Sequence, residues 1–248
     1  MIKFHQFVLV ATILVTLPAS ASSPTKTETI APGVTASFFL RPSASAKVQP
    51  DVAIKMAVGE AKKQYAQLGR KTVDELLVKI LDAYHFNSKE VRSGYLVDRM
   101  TGALKSQGFT NFMVTLTGEG EIARTVGRDG SHYWRLNIPD PNGSKRELCR
   151  VSLGTSSVAT ANVRDLRGIF LRAGKKKLDP PTDLRSVTVI TKNATIAMGL
   201  ASSALLMGNE KARSMFSPLL KEGFGVILED RNGKIKTMGD VTAACFEE

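Results

Sequence analysis

The pattern of apolar and polar positions predicts helices in the first half of the chain. A first helix is expected from Asp51, whose carboxylate can accept the free amides of a first turn, to Gly69. Its inward face follows helical spacing and comprises Ile54, Val58, Ala61, Tyr65 and Leu68. Thr72 and Glu75 have capping-box spacing and open a second predicted helix. A third is predicted over about residues 95–107, before Gly108.

Beyond Gly108 the pattern changes to short strands, followed by two further helices and a hairpin. The predicted strands are Phe112–Leu116, Glu121–Val126, Trp134–Ile138, Leu148–Leu153 and Ser186–Thr191. The helices are predicted at Thr195–Met207 and about Glu210–Lys221, and the hairpin turns at Asn232-Gly233. Because helices and strands do not alternate with a strict βαβ period, an α+β fold is preferred to a doubly wound sheet. We expect a single domain with helices packed on an antiparallel or mixed sheet.

The amino terminus has the features of an export signal. Lys3 precedes an apolar run over residues 7–17, and Ala19-Ser20-Ala21 gives the small-x-small pattern of a cleavage site. A membrane anchor is the alternative, but this run is far shorter than the roughly 20 apolar residues that span a bilayer. We therefore expect cleavage of residues 1–21, a mature start at Ser22 and a periplasmic location. No transmembrane segment is expected after cleavage.

Composition sets the domain organisation that we expect. The chain has 248 residues, of which 43% are hydrophobic, and this is enough for one core. Residues 22–50 are rich in Ser, Thr, Ala and Pro and are expected to form a flexible leader, with one short strand at Thr35–Leu40. The folded domain is expected over residues 51–248. Cys149 and Cys245 could form one disulfide, but sequence alone does not give their pairing.

Charge and histidine content narrow the classes of ligand. The net charge is +11, and it falls to +10 when Lys3 leaves with the signal. This excess predicts attraction to phosphates or anionic surfaces. Export argues against nucleic acid as a partner. His85 and His132 are the only histidines of the mature chain, which excludes a His-rich metal site.

No standard catalytic motif is present, since the sequence contains no P-loop, GxSxG, CxxC or HExxH. Gly154–Ser157 could hold a nucleophile or a phosphate, but without a nearby histidine we interpret it as a polar turn. Tyr133 and Trp134 are interpreted as packed residues rather than a stacking platform. The sequence also contains a basic loop with Arg164, Arg167, Arg172 and Lys175–Lys177. We interpret this loop as a solvated surface segment, and pyrophosphate binding is the alternative.

Several segments together indicate a protein family by their order along the chain, although no single one of them is specific. In chain order they are Ser93–Arg99, Thr117–Ile122, Trp134–Pro141, Ser157–Thr160, Leu178–Thr182, Ser186–Ile190 and Ala197–Gly208. Over about residues 51–240 this succession resembles the FAD:protein FMN transferase (ApbE) family of exported flavin-transfer enzymes.

The resemblance implies a cofactor, a metal and a partner. Members of the family bind FAD and magnesium, and transfer FMN to a Thr or Ser of a partner flavoprotein with release of AMP. It implies flavin contacts at Gly94, Tyr95, Asp98, Gly118, Gly120, Thr160 and Asp179. It also implies a metal position at Ala201 and Ser202, on a helix whose residues four apart share one face.

The chain departs from the family pattern at positions that carry chemistry. Met198 replaces the metal-binding Asp of the family, and a thioether is a poor magnesium ligand. Lys176 replaces a histidine, and the family's DxGGxAKGY stretch is reduced to Gly94 and Tyr95. Glu90 could supply a replacement carboxylate, although we favour a surface role for it.

Two functions follow. The first is an exported FMN transferase, which is expected to be inactive or weak because of these replacements. The alternative is a non-catalytic exported binding protein on the same scaffold, which uses the basic loop for an anionic or protein partner.

Overall fold

The structure is a computed structural model that describes residues 25–68, 88–118, 121–129, 132–140, 147–163, 183–239, 241 and 243–245. The predicted signal, the helix predicted from Thr72 and the basic loop from Arg164 to Lys177 lie outside these residues. Within them, no helix combines the length and the apolar character needed to cross a membrane.

Four α-helices lie in the described part of the chain. They are α1 (Pro50–Leu68), α2 (Ser88–Ser106), α3 (Ala194–Met207) and α4 (Asn209–Leu219), and a short 3₁₀ turn, Leu220–Glu222, follows α4. In α1, the predicted inward residues Ile54, Val58 and Ala61 are buried. Helix α2 begins at Ser88, seven residues before the predicted start at residue 95.

Eight strands form one antiparallel sheet. They are β1 (Lys26–Ala31), β2 (Val34–Leu40), β3 (Phe112–Thr117), β4 (Glu121–Val126), β7 (Ser157–Asn162), β8 (Leu184–Thr191), β9 (Gly225–Asp230) and β10 (Ile235–Gly239), and they are adjacent in this order. Every pair of neighbours is antiparallel. The hairpin predicted at Asn232-Gly233 joins β9 to β10, and Gly233 has the positive φ of 80° that its turn requires.

A second, antiparallel sheet of three strands is formed by β5 (Trp134–Pro139), β6 (Glu147–Leu153) and β11 (Ala243–Cys245). A disulfide joins Cys149 of β6 to Cys245, its direct partner in the ladder with β11. The structure thus gives the pairing that the sequence left open.

The large sheet separates two hydrophobic cores. On one face it packs against the helices, through residues such as Phe38, Leu96, Leu116 and Leu205. On the other face it packs against the small sheet, through residues such as Trp134 and Val151. The molecule therefore has three layers: helices, large sheet and small sheet. The predicted α+β class with packed helices and an antiparallel sheet is confirmed.

One prediction about the amino-terminal region is wrong. The strand expected at Thr35–Leu40 is present as β2, but the flexible leader expected over residues 22–50 is not: residues 26–31 form β1, and β1 and β2 lie at an edge of the large sheet. Val34, Ala36 and Phe38 alternate on the buried face, and their burial fixes this segment to the core.

Candidate functional site

The N-terminus of α3 is held by a carboxylate from α2. Asp98 Oδ1 accepts from the Ala194 N–H at 3.1 Å, and Oδ2 accepts from the Thr195 N–H at 2.8 Å and the Thr195 hydroxyl at 2.7 Å. Asn193 caps the same end, because its Oδ1 accepts from the Ile196 N–H at 2.9 Å. The first amides of α3 are thus satisfied by the protein itself, and both Asp98 oxygens are occupied.

Gly94 and Tyr95 pack the helices together. A Cβ on Gly94 would lie 2.3 Å from the Ala194 carbonyl oxygen, so this glycine permits the close approach of α2 to α3. Tyr95 is 3% exposed, and its hydroxyl donates to Gln64 Oε1 of α1 at 3.2 Å. The predicted flavin contacts at Gly94, Tyr95 and Asp98 therefore lie in the interface between helices.

The predicted residues of the strands lie elsewhere. Gly118, after β3, has a φ of 116°, and a Cβ there would lie 1.9 Å from the Gly33 carbonyl oxygen. The Thr160 side chain of β7 shares a hydrogen bond of 2.9 Å with the hydroxyl of Thr188. Gly120 and Asp179 are outside the described residues.

The large sheet separates Thr160 from the predicted residues of the helices. Ala159 and Ala161 belong to the core beneath the helices, so Thr160 between them faces the small sheet. Ala201 and Ser202 lie in α3 on the helical side, with exposures of 0% and 2%. The structure therefore brings Gly94, Asp98 and α3 together but places Thr160 on the opposite face.

A small cleft lies between the two sheets. Its walls are mainly apolar and come from β3, β4, β5 and β7; the residues on this face of the large sheet and on the small sheet include Thr115, Ala123, Leu136, Ile138, Val158 and Thr160. Its volume of about 60 Å³ is enough for a few water molecules and far too small for the ring system of a flavin.

The residues of α3 do not fit a magnesium ion. Met198, at the position of the family's Asp, is 6% exposed and offers only a soft thioether. Ala201 has no side-chain oxygen, Ser202 offers one neutral hydroxyl, and both oxygens of Asp98 already accept hydrogen bonds at the N-terminus of α3. In the part of the chain that the structure describes, no three His, Cys, Asp or Glu residues lie close enough together to hold a metal.

The sequence motifs do not include a buried arginine of β4. Arg124 of β4 is 7% exposed, and its Nη1 donates to the Ser157 hydroxyl at 2.9 Å. It faces the helices, since its strand neighbours Ile122 and Val126 belong to the core on that side. Burial lowers the pKa of Arg124, while the charge of Asp98 raises it. A charged residue flanked by inward apolar residues at a spacing of two was the signal in the sequence.

Of the two aromatic residues at the start of β5, only one is packed as expected. Trp134 is 3% exposed and donates to the Val126 carbonyl oxygen at 3.3 Å. Tyr133 is 52% exposed, with the guanidinium of Arg128 4.7 Å from its ring centre. The expectation of a packed Tyr133 is therefore wrong. Of the polar turn predicted at Gly154–Ser157, residues 154–156 connect β6 to β7, but Ser157 is the first residue of β7 and is buried.

Comparison with known proteins identifies curated relatives that are named FAD:protein FMN transferase. The FAD:protein FMN transferase of Vibrio cholerae is 30% identical over 149 residues, covering 56% of this chain and 43% of that protein. The protein of the same name from Haemophilus influenzae is 25% identical over 146 residues, covering 55% of this chain and 41% of that protein. The chain thus spans less than half the length of these two curated relatives.

A solved structure agrees with the fold. The apo form of the flavinyl transferase ApbE from Pseudomonas stutzeri superimposes with a TM-score of 0.55 at 17% identity, covering 86% of this chain and 93% of that one. A sequence model described as the ApbE family matches residues 29–227, which is most of the 248-residue chain. The chain therefore belongs to the ApbE family.

Proposed function

We propose that this protein is an exported FAD:protein FMN transferase homologue that has lost magnesium-dependent transfer and serves as a binding protein on the family scaffold. The observation that carries the proposal is Met198, buried in α3 where the resemblance places a metal-binding Asp. A buried thioether cannot replace the charge or the hard oxygen that magnesium prefers.

The residues around Met198 support the proposal that the fold is kept without a bound magnesium ion. Asp98 is the carboxylate nearest to the start of α3, and its oxygens bind Ala194 and Thr195. Core residues such as Leu200 and Leu205 remain buried. The protein thus keeps the apolar residues that stabilise the fold, whereas the side chain at position 198 of α3 differs from the metal-binding Asp that the resemblance places there.

Export is part of the proposal. The signal expected over residues 1–21 would deliver the chain to an oxidising compartment, and the Cys149–Cys245 disulfide is of the kind that such compartments favour. Amino-terminal sequencing of the protein from a periplasmic fraction should give Ser22 as its first residue. Recovery of the uncleaved chain from the cytoplasm would contradict export.

The second candidate is an active transferase, which the family match over residues 29–227 and the names of the curated relatives favour. An active enzyme would bind FAD and transfer FMN to a Thr or Ser hydroxyl of a partner flavoprotein. The hydroxyl oxygen would form a new bond to the FMN phosphorus as the pyrophosphate P–O bond to AMP breaks, and AMP and the hydroxyl proton would leave.

Calorimetric titration with FAD separates the two candidates. Residues 22–248 are titrated with and without magnesium, and each mixture is assayed for AMP in the presence of a Thr-containing acceptor peptide. We expect no AMP and no effect of magnesium on FAD binding. AMP that appears only with magnesium would overturn the proposed loss and support the active transferase.

Two variants of α3 sharpen this experiment. Met198→Asp restores the carboxylate, and Met207→Asp places the same charge on the same helix at a side chain that is 46% exposed. We expect magnesium to strengthen FAD binding only in Met198→Asp. Thermal unfolding of both variants shows whether the buried charge has disrupted the fold. If neither variant responds and both are folded, the rest of the flavin site has been lost as well.

A further inference from the structure

The side chain of Arg124 lies between β4 and α2 with part of its hydrogen-bonding capacity unused. Ser157 accepts from Nη1 at 2.9 Å and fixes the plane of the guanidinium. The Nε–H is buried and has no acceptor among the residues that the structure describes. An unsatisfied donor on a buried cation is costly, since the group has lost water without gaining a partner.

Helix α2 presents a polar row along this face. Asp98, Thr101 and Lys105 are spaced by three and four residues, so they share one side of the helix. Thr101 is 4% exposed, and in the described part of the chain its Oγ1 also lacks a hydrogen-bond partner. Two orphaned polar atoms therefore lie on the facing elements α2 and β4.

The charges in this region are unbalanced. The Asp98 oxygens are bound to the N-terminus of α3, and within the described ranges no carboxylate forms an ion pair with Arg124. Lys105 is close enough to be affected: desolvation and then the charge of Arg124 lower its pKa, while Asp98 raises it. Two cations thus face one carboxylate whose charge already serves the end of a helix.

We propose that a small oxyanion, carrying a carboxylate or a phosphate group, binds between α2 and β4 at Arg124, Thr101 and Lys105. The oxyanion would accept from Arg124 Nε–H and the Thr101 hydroxyl, and its charge would be offset by Lys105 at the exposed end of the row. The edge of a guanidinium that contains Nε presents parallel N–H groups, which suit two oxygens of one group better than a chloride ion. This site goes beyond the proposed function because it needs neither FAD nor magnesium.

The test follows the Arg124 side chain directly. Residues 22–248, labelled with ¹⁵N, are titrated with inorganic phosphate, with acetate and with chloride at constant ionic strength. The Nε–H signal of Arg124 is assigned by its loss in Arg124→Gln. We expect this signal to move and saturate with phosphate or acetate but not with chloride, and the stronger of the two ligands identifies the class of anion. An Nε–H signal that does not respond to either oxyanion overturns the proposal.

Three further variants keep the test independent of folding defects at Arg124. Lys105→Gln should weaken oxyanion binding on the order of tenfold, since it removes one charged contact. Thr101→Val should weaken binding while leaving the ligand-free protein at least as stable, because the hydroxyl that it removes has no partner. Lys211→Gln, at an exposed lysine of α4, is the matched control and should bind like the wild type. Equal binding by all three variants would assign the anion to another basic surface and overturn the proposal.

Discussion

The carboxylate of Asp98 joins two helices through three hydrogen bonds. It accepts hydrogen bonds from two backbone amides and one hydroxyl at the start of α3. Its negative charge also interacts favourably with the positive end of the helix dipole. We expect Asp98→Ala to lower the free energy of unfolding by about 2–3 kcal/mol, because buried amides lose their acceptor. Asp98→Asn should cost less, since one oxygen remains. Urea unfolding measures both, with Glu222→Ala at an exposed position as the control. An unchanged stability in Asp98→Ala would mean that this carboxylate is available to a ligand, as the family resemblance implies.

Glu229 makes stability depend on pH. It is 2% exposed in β9, where it accepts from the Ser186 hydroxyl at 2.8 Å and from Arg185 Nη1 at 3.0 Å. Burial raises its pKa above the ordinary 4.5, against the lowering effect of Ser186 and Arg185. Above pH 4.5 the folded state thus binds more protons than the unfolded state. Stability from this group is greatest at low pH and falls as the pH rises to the folded pKa.

The variant Glu229→Gln isolates this contribution. Relative to the wild type, the variant should gain stability as the pH rises above 4.5, because its side chain has no proton to lose. Urea unfolding at several pH values up to 8 measures the difference, and Glu222→Gln at an exposed site serves as the control. Parallel curves for wild type and Glu229→Gln would refute the assignment.

At the scale of elements, the contact between α2 and α3 depends on one glycine. A methyl group at Gly94 would meet backbone atoms of Ala194 and Thr195, which cannot move without shifting α3. We expect Gly94→Ala to destabilise the protein by about 1–3 kcal/mol through overpacking. Gly102→Ala is the control on the same helix, because nothing lies within 4 Å of its Cβ position. It should stabilise by about 0.5–1 kcal/mol, as alanine favours a helix. Equal effects in thermal or urea unfolding would contradict the close approach.

Elements with strong periodicity could be predicted from the sequence, and those defined by their neighbours could not. Strand β4 was predicted at its observed bounds because Ile122 and Val126 place apolar side chains on one face at strand spacing. Strand β7, with the sequence SVATAN, has small and polar residues in place of a clear apolar face, and it becomes a strand through pairing with β4 and β8. The site was harder to foresee for the same reason. Asp98 binds Thr195, 97 positions away, and no local pattern indicates that contact.

For the whole molecule, one covalent bond restrains the end of the chain. The Cys149–Cys245 bond closes a loop of 96 positions and joins β11, a strand of three residues, to β6. Three residues of strand pairing would bind the end of the chain weakly, so the bond itself keeps β11 on the small sheet. Its main effect on folding is expected in the unfolded state, where a long loop loses much conformational freedom.

Reduction should therefore lower the free energy of unfolding by about 3–5 kcal/mol. Urea unfolding of the oxidised and reduced protein measures this loss. Cys149→Ser, Cys245→Ser and the double variant separate its causes. If the covalent link dominates, each single variant should lose most of what the double variant loses, because either change breaks the bond. Cys149→Ser should lose more than Cys245→Ser, because Cys149 is fully buried between the sheets and its replacement also places a hydroxyl there. Oxidised and reduced proteins that unfold at the same urea concentration would show that contacts between β6 and β11, and not the disulfide, hold the small sheet together.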